Sequence, residues 1–301
     1  MKASLLTVCA LCFAASAVSA QEVATAPTLE LVKEKVDVGD RDLSVTCMGR
    51  GSPTVMLEAG FGDDAAVWMK VQLGAAAVSR VCAYSRAGLG ESDAVTERRT
   101  IQDVVNDLNA LLMNSPVEGP FVLVGHSIGG LIVNMYAHQK PEQVVGMVLV
   151  DSSHPDQQAG FQSVRPPELN AAWAVFDASN ASPENWDVTA GTMQGETVYA
   201  APGSLGNLPV VVLTADTDLV NEQEVAWVRE NVWSGFNEDI ALAEGQVWAA
   251  LQEQYAALSN NSRHLTVEGS THYIYIDNPE VVVDAVRHVV EAVRTGAPLE
   301  Q

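Results

Sequence analysis

Residues 121–131 read FVLVGHSIGGL, an apolar strand that leads through Gly-x-Ser-x-Gly directly into a helical pattern. A turn this tight holds its serine in a strained backbone conformation, and the missing side chains of Gly125 and Gly129 let the chain pass close to itself. Ser127 then projects beyond the strand, while the helix N-terminus directs the Ile128 backbone N–H toward a developing oxyanion. The segment therefore predicts a nucleophile elbow, with Ser127 as the nucleophile and Ile128 as an oxyanion donor.

Apolar runs and helical patterns alternate along the rest of the chain. Short β-branched runs typical of buried strands occupy residues 43–48, 54–58, 81–84, 121–124, 144–150, 210–213 and 264–267. Helical patterns occupy residues 101–113, 131–139, 223–231, 244–258 and 279–294. This alternation predicts an α/β fold with a mostly parallel central sheet covered on both faces. Prolines interrupt it at about residues 156–207, which we interpret as a small cap insertion over the sheet.

The N-terminal residues differ in composition from the rest of the chain. Lys2 precedes an apolar run over residues 3–15, and Val18-Ser19-Ala20 precedes Gln21. This pattern is typical of a secretory signal peptide with an Ala-x-Ala-like cleavage site. We therefore expect residues 1–20 to be a signal peptide and residues 21–301 to form one exported domain, periplasmic or secreted. The apolar run is too short to span a membrane, so no stable membrane anchor is expected.

Charge and hydropathy narrow the classes of partner. With 48% hydrophobic residues in 301, the chain has enough apolar material for a large core and is not predicted to be disordered. Its 38 Asp and Glu outnumber 16 Lys and Arg, for a formal charge of −22, and no basic run could follow a phosphate backbone. Nucleic acid and anionic lipid are therefore not expected partners.

Taken together, the elbow and the strand pattern resemble the α/β-hydrolase superfamily, of the serine esterase and lipase type, over residues 31–293. The resemblance implies a three-layer sandwich and a triad in the chain order Ser, Asp or Glu, His. The loop Gly269-Ser270-Thr271-His272 follows the last predicted strand and resembles the family's catalytic histidine loop. His272 is thus expected to take the Ser127 proton and return it to the leaving alcohol.

Three aspartates compete for the role of triad acid. Alignment on the segment Leu213-Thr214-Ala215-Asp216-Thr217-Asp218 favours Asp218, with Asp216 displaced by two residues. Asp151 ends the predicted strand 144–150, where some family members carry their acid, and it stays an alternative. Each could instead be a turn-capping aspartate.

The second oxyanion donor is expected in the loop Ala59-Gly60-Phe61-Gly62, through the Phe61 backbone N–H. This chain has Ala59-Gly60 where many relatives have His-Gly, and Ser85 where relatives usually have Asp.

Four histidines are predicted to be structural: His126, His138, His264 and His288. His154, near the expected mouth of the site, is equally consistent with a structural role and with a substrate contact.

The expected activity is hydrolysis of a small carboxylic ester through an acyl-enzyme, with neither a metal nor an organic cofactor implied. Other serine chemistry on this fold remains open, namely C–C bond hydrolysis, cofactor-free haloperoxidation and acyl transfer. A noncatalytic secreted binding protein of the same fold is the alternative from a different class. The oligomeric state and the acyl chain length are not indicated by the residues.

Removal of the signal peptide would leave two cysteines, Cys47 and Cys82. Two thiols in an oxidising compartment pair by default. The resemblance adds a reason, since the second strand of the family sheet runs antiparallel beside the fourth, with Cys47 near the end of one and Cys82 near the start of the other. A Cys47–Cys82 disulfide is therefore expected.

Overall fold

The computed structural model describes residues 31–115, 117–179, 197–216 and 222–299. Its single sheet contains eight strands. Their bounds are β1 Val32–Asp37, β2 Asp42–Met48, β3 Thr54–Glu58, β4 Val81–Tyr84, β5 Phe121–His126, β6 Val144–Val150, β7 Val210–Ala215 and β8 Ser262–Val267.

The strand order across the sheet is β1-β2-β4-β3-β5-β6-β7-β8. The β1–β2 and β2–β4 pairs are antiparallel, and every other pair is parallel. This confirms the mostly parallel α/β sheet. The parallel strands all end at one edge of the sheet, and residues from the ends of several strands can therefore meet there.

Nine α-helices lie in the described part of the chain. Their bounds are α1 Met69–Ala75, α2 Ile101–Asn114, α3 Ile128–Gln139, α4 Gln157–Val164, α5 Pro167–Ser179, α6 Glu222–Asn231, α7 Glu238–Ala256, α8 Ile274–Asp277 and α9 Pro279–Thr295. Two apolar clusters cover the two faces of the sheet. One contains buried residues of α2 and α3 with β-strand residues such as Met56 and Leu123, and the other contains α1 and α9 with residues such as Val55 and Val122. This gives the three layers of the sandwich.

Short helices fill part of the predicted insertion between β6 and β7, where α4 and α5 lie. The cap boundaries at about 156–207 remain a prediction, since residues 180–196 fall outside the described ranges. The signal peptide at residues 1–20 also falls outside them. Within the described ranges, no helix combines the length and the apolar character needed to cross a membrane.

A disulfide joins Cys47 to Cys82. The two residues face each other directly in the antiparallel pairing of β2 with β4. The structure thus contains the expected pairing, which ties an antiparallel strand to the first parallel strand beside it.

Candidate active site

Ser127 forms the turn between β5 and α3 with φ 52° and ψ −124°. Such a conformation is costly for a residue with a Cβ and persists only where the surroundings enforce it. Two backbone hydrogen bonds hold the turn: Ser127 N–H donates to Val150 O at 3.1 Å, and Ser153 N–H donates to Ser127 O at 2.9 Å. The elbow is therefore fastened to the end of β6.

Glycine is required on both sides of that serine. A Cβ on Gly125 would lie 2.4 Å from Gly129 O, and a Cβ on Gly129 would lie 2.5 Å from Ala59 O. Both distances are well inside van der Waals contact with backbone atoms that cannot move aside. The Gly-x-Ser-x-Gly spacing is thus explained by the close approach of α3 to β5 and to the loop after β3.

His272 lies in the loop after β8, and its Nδ1 is 2.6 Å from Oδ2 of Asp151. The histidine side chain is 37% exposed and the aspartate side chain is 3% exposed. A carboxylate oxygen accepts only, so Nδ1 carries the proton in this contact. The remaining ring nitrogen, Nε2, then holds a lone pair and can accept a proton.

Backbone and side-chain hydrogen bonds hold Asp151 in place. Asp151 directly follows β6 and has φ 42°, a left-handed conformation. Its Oδ1 accepts a hydrogen bond from Ala215 N–H at 2.8 Å and another from Trp248 Nε1–H at 2.9 Å. These donors fix the orientation of the carboxylate toward His272.

The sequence-based preference for Asp218 is not what the described contacts favour. Asp218 lies in residues 217–221, outside the described residues. Asp216 turns to the histidine loop instead, where its Oδ2 accepts from Gly269 N–H at 2.9 Å. Asp151, the lesser alternative in the sequence, is the aspartate that the described structure brings to His272. Trp248, which supports it, carries no local sequence signal beyond its place in a helical pattern.

His126 is a structural histidine that positions His272. Its Nε2 donates to the His272 backbone carbonyl at 2.9 Å, and the two rings are 4.5 Å apart between centroids. Burial lowers the pKa of His126 well below its usual range, and the positive charge of a protonated His272 would lower it further. A neutral imidazole that donates through Nε2 follows from both facts.

His154 has a structural environment. Its Nδ1 accepts from Asp156 N–H at 3.1 Å, and its ring packs on Tyr255 with centroids 4.7 Å apart. The side chain is buried and is not among the residues that line the cavity above Ser127. This environment favours the structural role over a substrate contact.

The loop after β3 approaches the elbow from the other side. A Cβ on Gly60 would lie 2.6 Å from Nδ1 of His126. Arg86 donates to the carbonyl oxygens of Ala59 and Gly60, at 2.6 Å and 2.5 Å. The Phe61 side chain is largely exposed, so the predicted contribution of Phe61 would come from its backbone.

A cavity of about 500 Å³ opens above Ser127, Asp151 and His272. Aromatic side chains from α4, α5, α6, α7 and the loop before α7 line it: Phe161, Trp173, Trp227, Trp248 and Phe236. Trp173 lies in α5, within the segment interpreted as an insertion, and is one of these lining residues. Carboxylates also reach the wall, namely Glu224, Glu244 and Asp216.

Arg165 is the cationic side chain among the lining residues, and it is already engaged. Its Nε lies 2.5 Å from Oε1 of Glu244, and its guanidinium lies over the rings of Phe161 and Trp173. The cavity therefore presents aromatic faces and carboxylates to a ligand. Across the described ranges, no group of three or more His, Cys, Asp or Glu side chains is arranged to hold a metal ion.

A family model described as the alpha/beta hydrolase family matches residues 55–285. The chain belongs to the alpha/beta hydrolase family. Among the relatives of this hydrolase, the protein YqjL of Bacillus subtilis is 27% identical over 254 residues, which are 84% of this chain and 90% of YqjL. The sequence similarity therefore covers most of both chains.

Solved structures of enzymes with the same fold resemble this hydrolase at low identity. Est816, described as an N-acyl homoserine lactone degrading enzyme, is 16% identical with a TM-score of 0.61, over 84% of this chain and 99% of Est816. A thermophilic esterase from Thermogutta terrifontis is 17% identical with a TM-score of 0.59, over 88% of this chain and 99% of that esterase. At these identities the likeness shows the fold alone.

Proposed function

We propose that this hydrolase cleaves carboxylic esters of small molecules through an acyl-enzyme on Ser127. The observation that carries the proposal is the strained Ser127 elbow in the same cavity as a His272 whose Nδ1 is held by Asp151. A serine in this position needs a general base, and a histidine with its second nitrogen fixed by a carboxylate has the required tautomer.

In the acylation step, His272 Nε2 takes the Ser127 hydroxyl proton while Oγ attacks the ester carbonyl carbon. The proton on Nδ1 stays with the imidazolium, which the ionised Asp151 stabilises. The tetrahedral intermediate collapses when the carbon–alkoxy bond breaks and His272 returns the proton to the leaving alcohol. Water then repeats the sequence on the acyl-enzyme, which releases the acid and restores Ser127.

The charge on the tetrahedral oxygen requires donors that are in place before the reaction. The Ile128 N–H lies at the N-terminus of α3, directly after Ser127. We assign the second donor to the Phe61 N–H, in the loop that packs against His126 and α3. Loss of one such donor costs roughly 10²- to 10³-fold in kcat in serine hydrolases.

The residues that line the cavity favour binding of an uncharged acyl or alcohol group. Aromatic side chains favour apolar ligand surface, whereas Glu224 and Asp216 would repel a ligand carboxylate. Esters with a free acid in the acyl chain should therefore be poor substrates.

We also propose export through the signal peptide at residues 1–20. The Ala-x-Ala-like site before Gln21 supports it, and the Cys47–Cys82 disulfide suits an oxidising compartment. N-terminal sequencing of the protein from a periplasmic or culture fraction should begin at Gln21. A mature chain that begins at Met1 would contradict export by cleavage.

The experiment on activity combines labelling with turnover. A fluorophosphonate probe should label the wild-type protein at Ser127, and p-nitrophenyl esters from acetate to palmitate should be hydrolysed with one chain-length optimum. Ser127→Ala should lose the label and on the order of 10⁶-fold in kcat. Unlabelled wild-type protein without turnover would favour a noncatalytic binding protein, and turnover by Ser127→Ala at the wild-type rate would exclude the mechanism.

A further inference from the structure

A buried ion pair lies beneath the loop that carries Phe61. Arg86 Nη1 is 2.7 Å from Oε1 of Glu58, and the two side chains are 3% and 0% exposed. Tyr84 donates its hydroxyl to the other carboxylate oxygen of Glu58. The desolvation of two such charges is expensive, and buried pairs often add nothing to stability compared with apolar residues. The pair is therefore expected to have a use other than stability.

Arg86 also hydrogen-bonds the backbone of the loop. Its Nη1 donates to Ala59 O at 2.6 Å, and its Nη2 donates to Gly60 O at 2.5 Å. Glu58 orients the guanidinium, and the planar guanidinium presents donors to two successive carbonyl groups. A second donor, Asp63 N–H, reaches Gly60 O at 3.2 Å. The carbonyl of Gly60 is thus fixed in direction by two separate groups.

The direction of that carbonyl sets the direction of the Phe61 N–H. The oxygen of Gly60 and the N–H of Phe61 belong to one planar peptide unit, and in a trans peptide they point to opposite sides. The cis peptides of the described chain are Ser52–Pro53 and Gly119–Pro120, so the Gly60–Phe61 unit is trans. A guanidinium that holds the oxygen therefore also aims the N–H away from Arg86.

On the other side of the loop, Gly60 packs closely against the His126 side chain. A Cβ on Gly60 would lie 2.6 Å from Nδ1 of His126 and 3.3 Å from Oδ2 of Asp63. The peptide is therefore confined between His126, which contacts the His272 backbone, and Arg86. The positive charge behind the carbonyl also polarises the peptide, which makes its N–H a stronger donor.

We propose that Arg86 is the positioning residue of the oxyanion site, which holds the Gly60–Phe61 peptide so that the Phe61 N–H faces the tetrahedral oxygen on Ser127. This proposal rests on the proposed ester hydrolysis. It assigns to the Glu58–Arg86 pair a role in transition-state stabilisation that acts through the backbone. Arg86 itself does not touch the substrate.

The test compares Arg86→Met and Arg86→Lys with wild type in the intact protein, all expressed in the same way. Arg86→Met should lower kcat by roughly 10²-fold with KM nearly unchanged, because the donor acts on the transition state more than on the bound ester. The kcat of Arg86→Lys should lie between those of wild type and Arg86→Met, on the order of tenfold below wild type. One ammonium group cannot donate to both carbonyl oxygens in the fork geometry of a guanidinium. The Ki of a trifluoromethyl ketone, which forms the tetrahedral adduct, should rise by the same factor as kcat falls.

Arg99 offers a matched control. It is another buried arginine paired with a carboxylate, Asp107, at 2.7 Å. Arg99→Met should unfold at a lower urea concentration than wild type, while its kcat and ketone Ki should stay within threefold of wild type. The control therefore separates the general effect of breaking a buried ion pair from the effect of moving the Gly60–Phe61 peptide.

The outcomes separate the two proposals. Wild-type protein without labelling or turnover would contradict the proposed function. Suppose that the wild-type protein is active and that Arg86→Met or Arg86→Lys folds with unchanged kcat and unchanged ketone Ki. This result would overturn the role of Arg86 and leave the proposed function intact. An equal loss of kcat in Arg99→Met would also overturn it. If Arg86→Met does not fold, Arg86→Lys decides by the same two measurements.

Discussion

Asp151 Oδ2 and His272 Nδ1 are 2.6 Å apart although the two residues lie 121 positions apart in the chain. Two other donors hold the same carboxylate, one from the backbone of β7 and one from the indole of Trp248 on α7. Elements from three parts of the chain therefore converge on this contact. The contact determines which nitrogen of His272 carries its proton and which can act as a base.

Asp151→Asn should lower kcat on esters by about 10⁴-fold, because an amide at this position favours the wrong tautomer of His272. The backbone donor at Ala215 can still bond the amide oxygen, so the fold should persist. The measurement is kcat with a p-nitrophenyl ester, with circular dichroism to confirm folding.

Two matched aspartate variants test the assignment of the acid. Asp216→Asn should lose far less activity, because Asp216 contacts the Gly269 backbone and an amide oxygen can accept the same bond. Asp218→Asn tests the residue that the family alignment favours. A severe loss in Asp218→Asn together with a mild loss in Asp151→Asn would return the role to Asp218.

The choice of acid shows where local sequence stops being decisive. Ser127 and His272 each stand in a distinctive local segment, and the structure places both on one cavity. The candidate acids follow two neighbouring parallel strands, with Val150 of β6 paired to Leu213 of β7. Carboxylates after either strand therefore end near the same place, and a spacing along the chain does not distinguish them. The contact with Trp248, from a helix far along the sequence, is not visible in a local motif.

Strand prediction succeeded where both faces of a strand are buried. Strand β5 is buried at every position and follows a continuous apolar run. The sequence pattern does not predict strand β1, VKEKVD, because it lies at the sheet edge with most positions exposed, and charged residues hide its alternation. The sequence pattern indicates only an insertion where helices α4 and α5 lie, because the prolines around them dominate the local pattern.

The backbone strain at Ser127 makes a prediction about stability. Ser127→Gly should unfold at higher urea concentration than Ser127→Ala, by about 1 kcal/mol or more in free energy of unfolding, because glycine adopts φ 52° without the cost that a Cβ adds. Both variants should be inactive. Elsewhere, replacement of alanine by glycine usually destabilises, so a less stable Ser127→Gly would show that the elbow is not strained.

His154 predicts a loss of stability in mild acid. Burial lowers its pKa to about 4, while the neighbouring Asp156 carboxylate, 3.9 Å away, opposes that shift. The unfolded chain, with a histidine pKa of about 6.5, then binds more protons between these two values, so stability is present above pH 6.5 and falls as pH decreases. Between pH 7.5 and pH 5.0, His154 should lower the free energy of unfolding by about 2 kcal/mol.

Urea titrations of His154→Asn at the two pH values check this prediction. The Asn side-chain oxygen can accept the Asp156 N–H that Nδ1 accepts now, and it does not titrate. The difference in unfolding free energy between pH 7.5 and pH 5.0 should shrink by about 2 kcal/mol in this variant. In Asp156→Asn, the unfolding free energy should fall with decreasing pH at least as steeply as in wild type, since this variant removes the group that favours protonated His154. If the pH dependence of the unfolding free energy were unchanged in His154→Asn, the prediction that His154 is buried in its neutral form would be wrong.

The Cys47–Cys82 disulfide should stabilise the fold without taking part in catalysis. It closes a loop of 35 residues between β2 and β4, which in the chain-entropy model stabilises by about 4 kcal/mol. The double variant Cys47→Ala with Cys82→Ala should therefore unfold at lower urea concentration, whereas kcat at 25 °C should stay near wild type because neither cysteine lines the cavity above Ser127. Mass analysis of the denatured wild-type protein should find the peptides of both cysteines alkylated only after reduction. Alkylation of both thiols without a reductant would show that the exported protein does not form the bond.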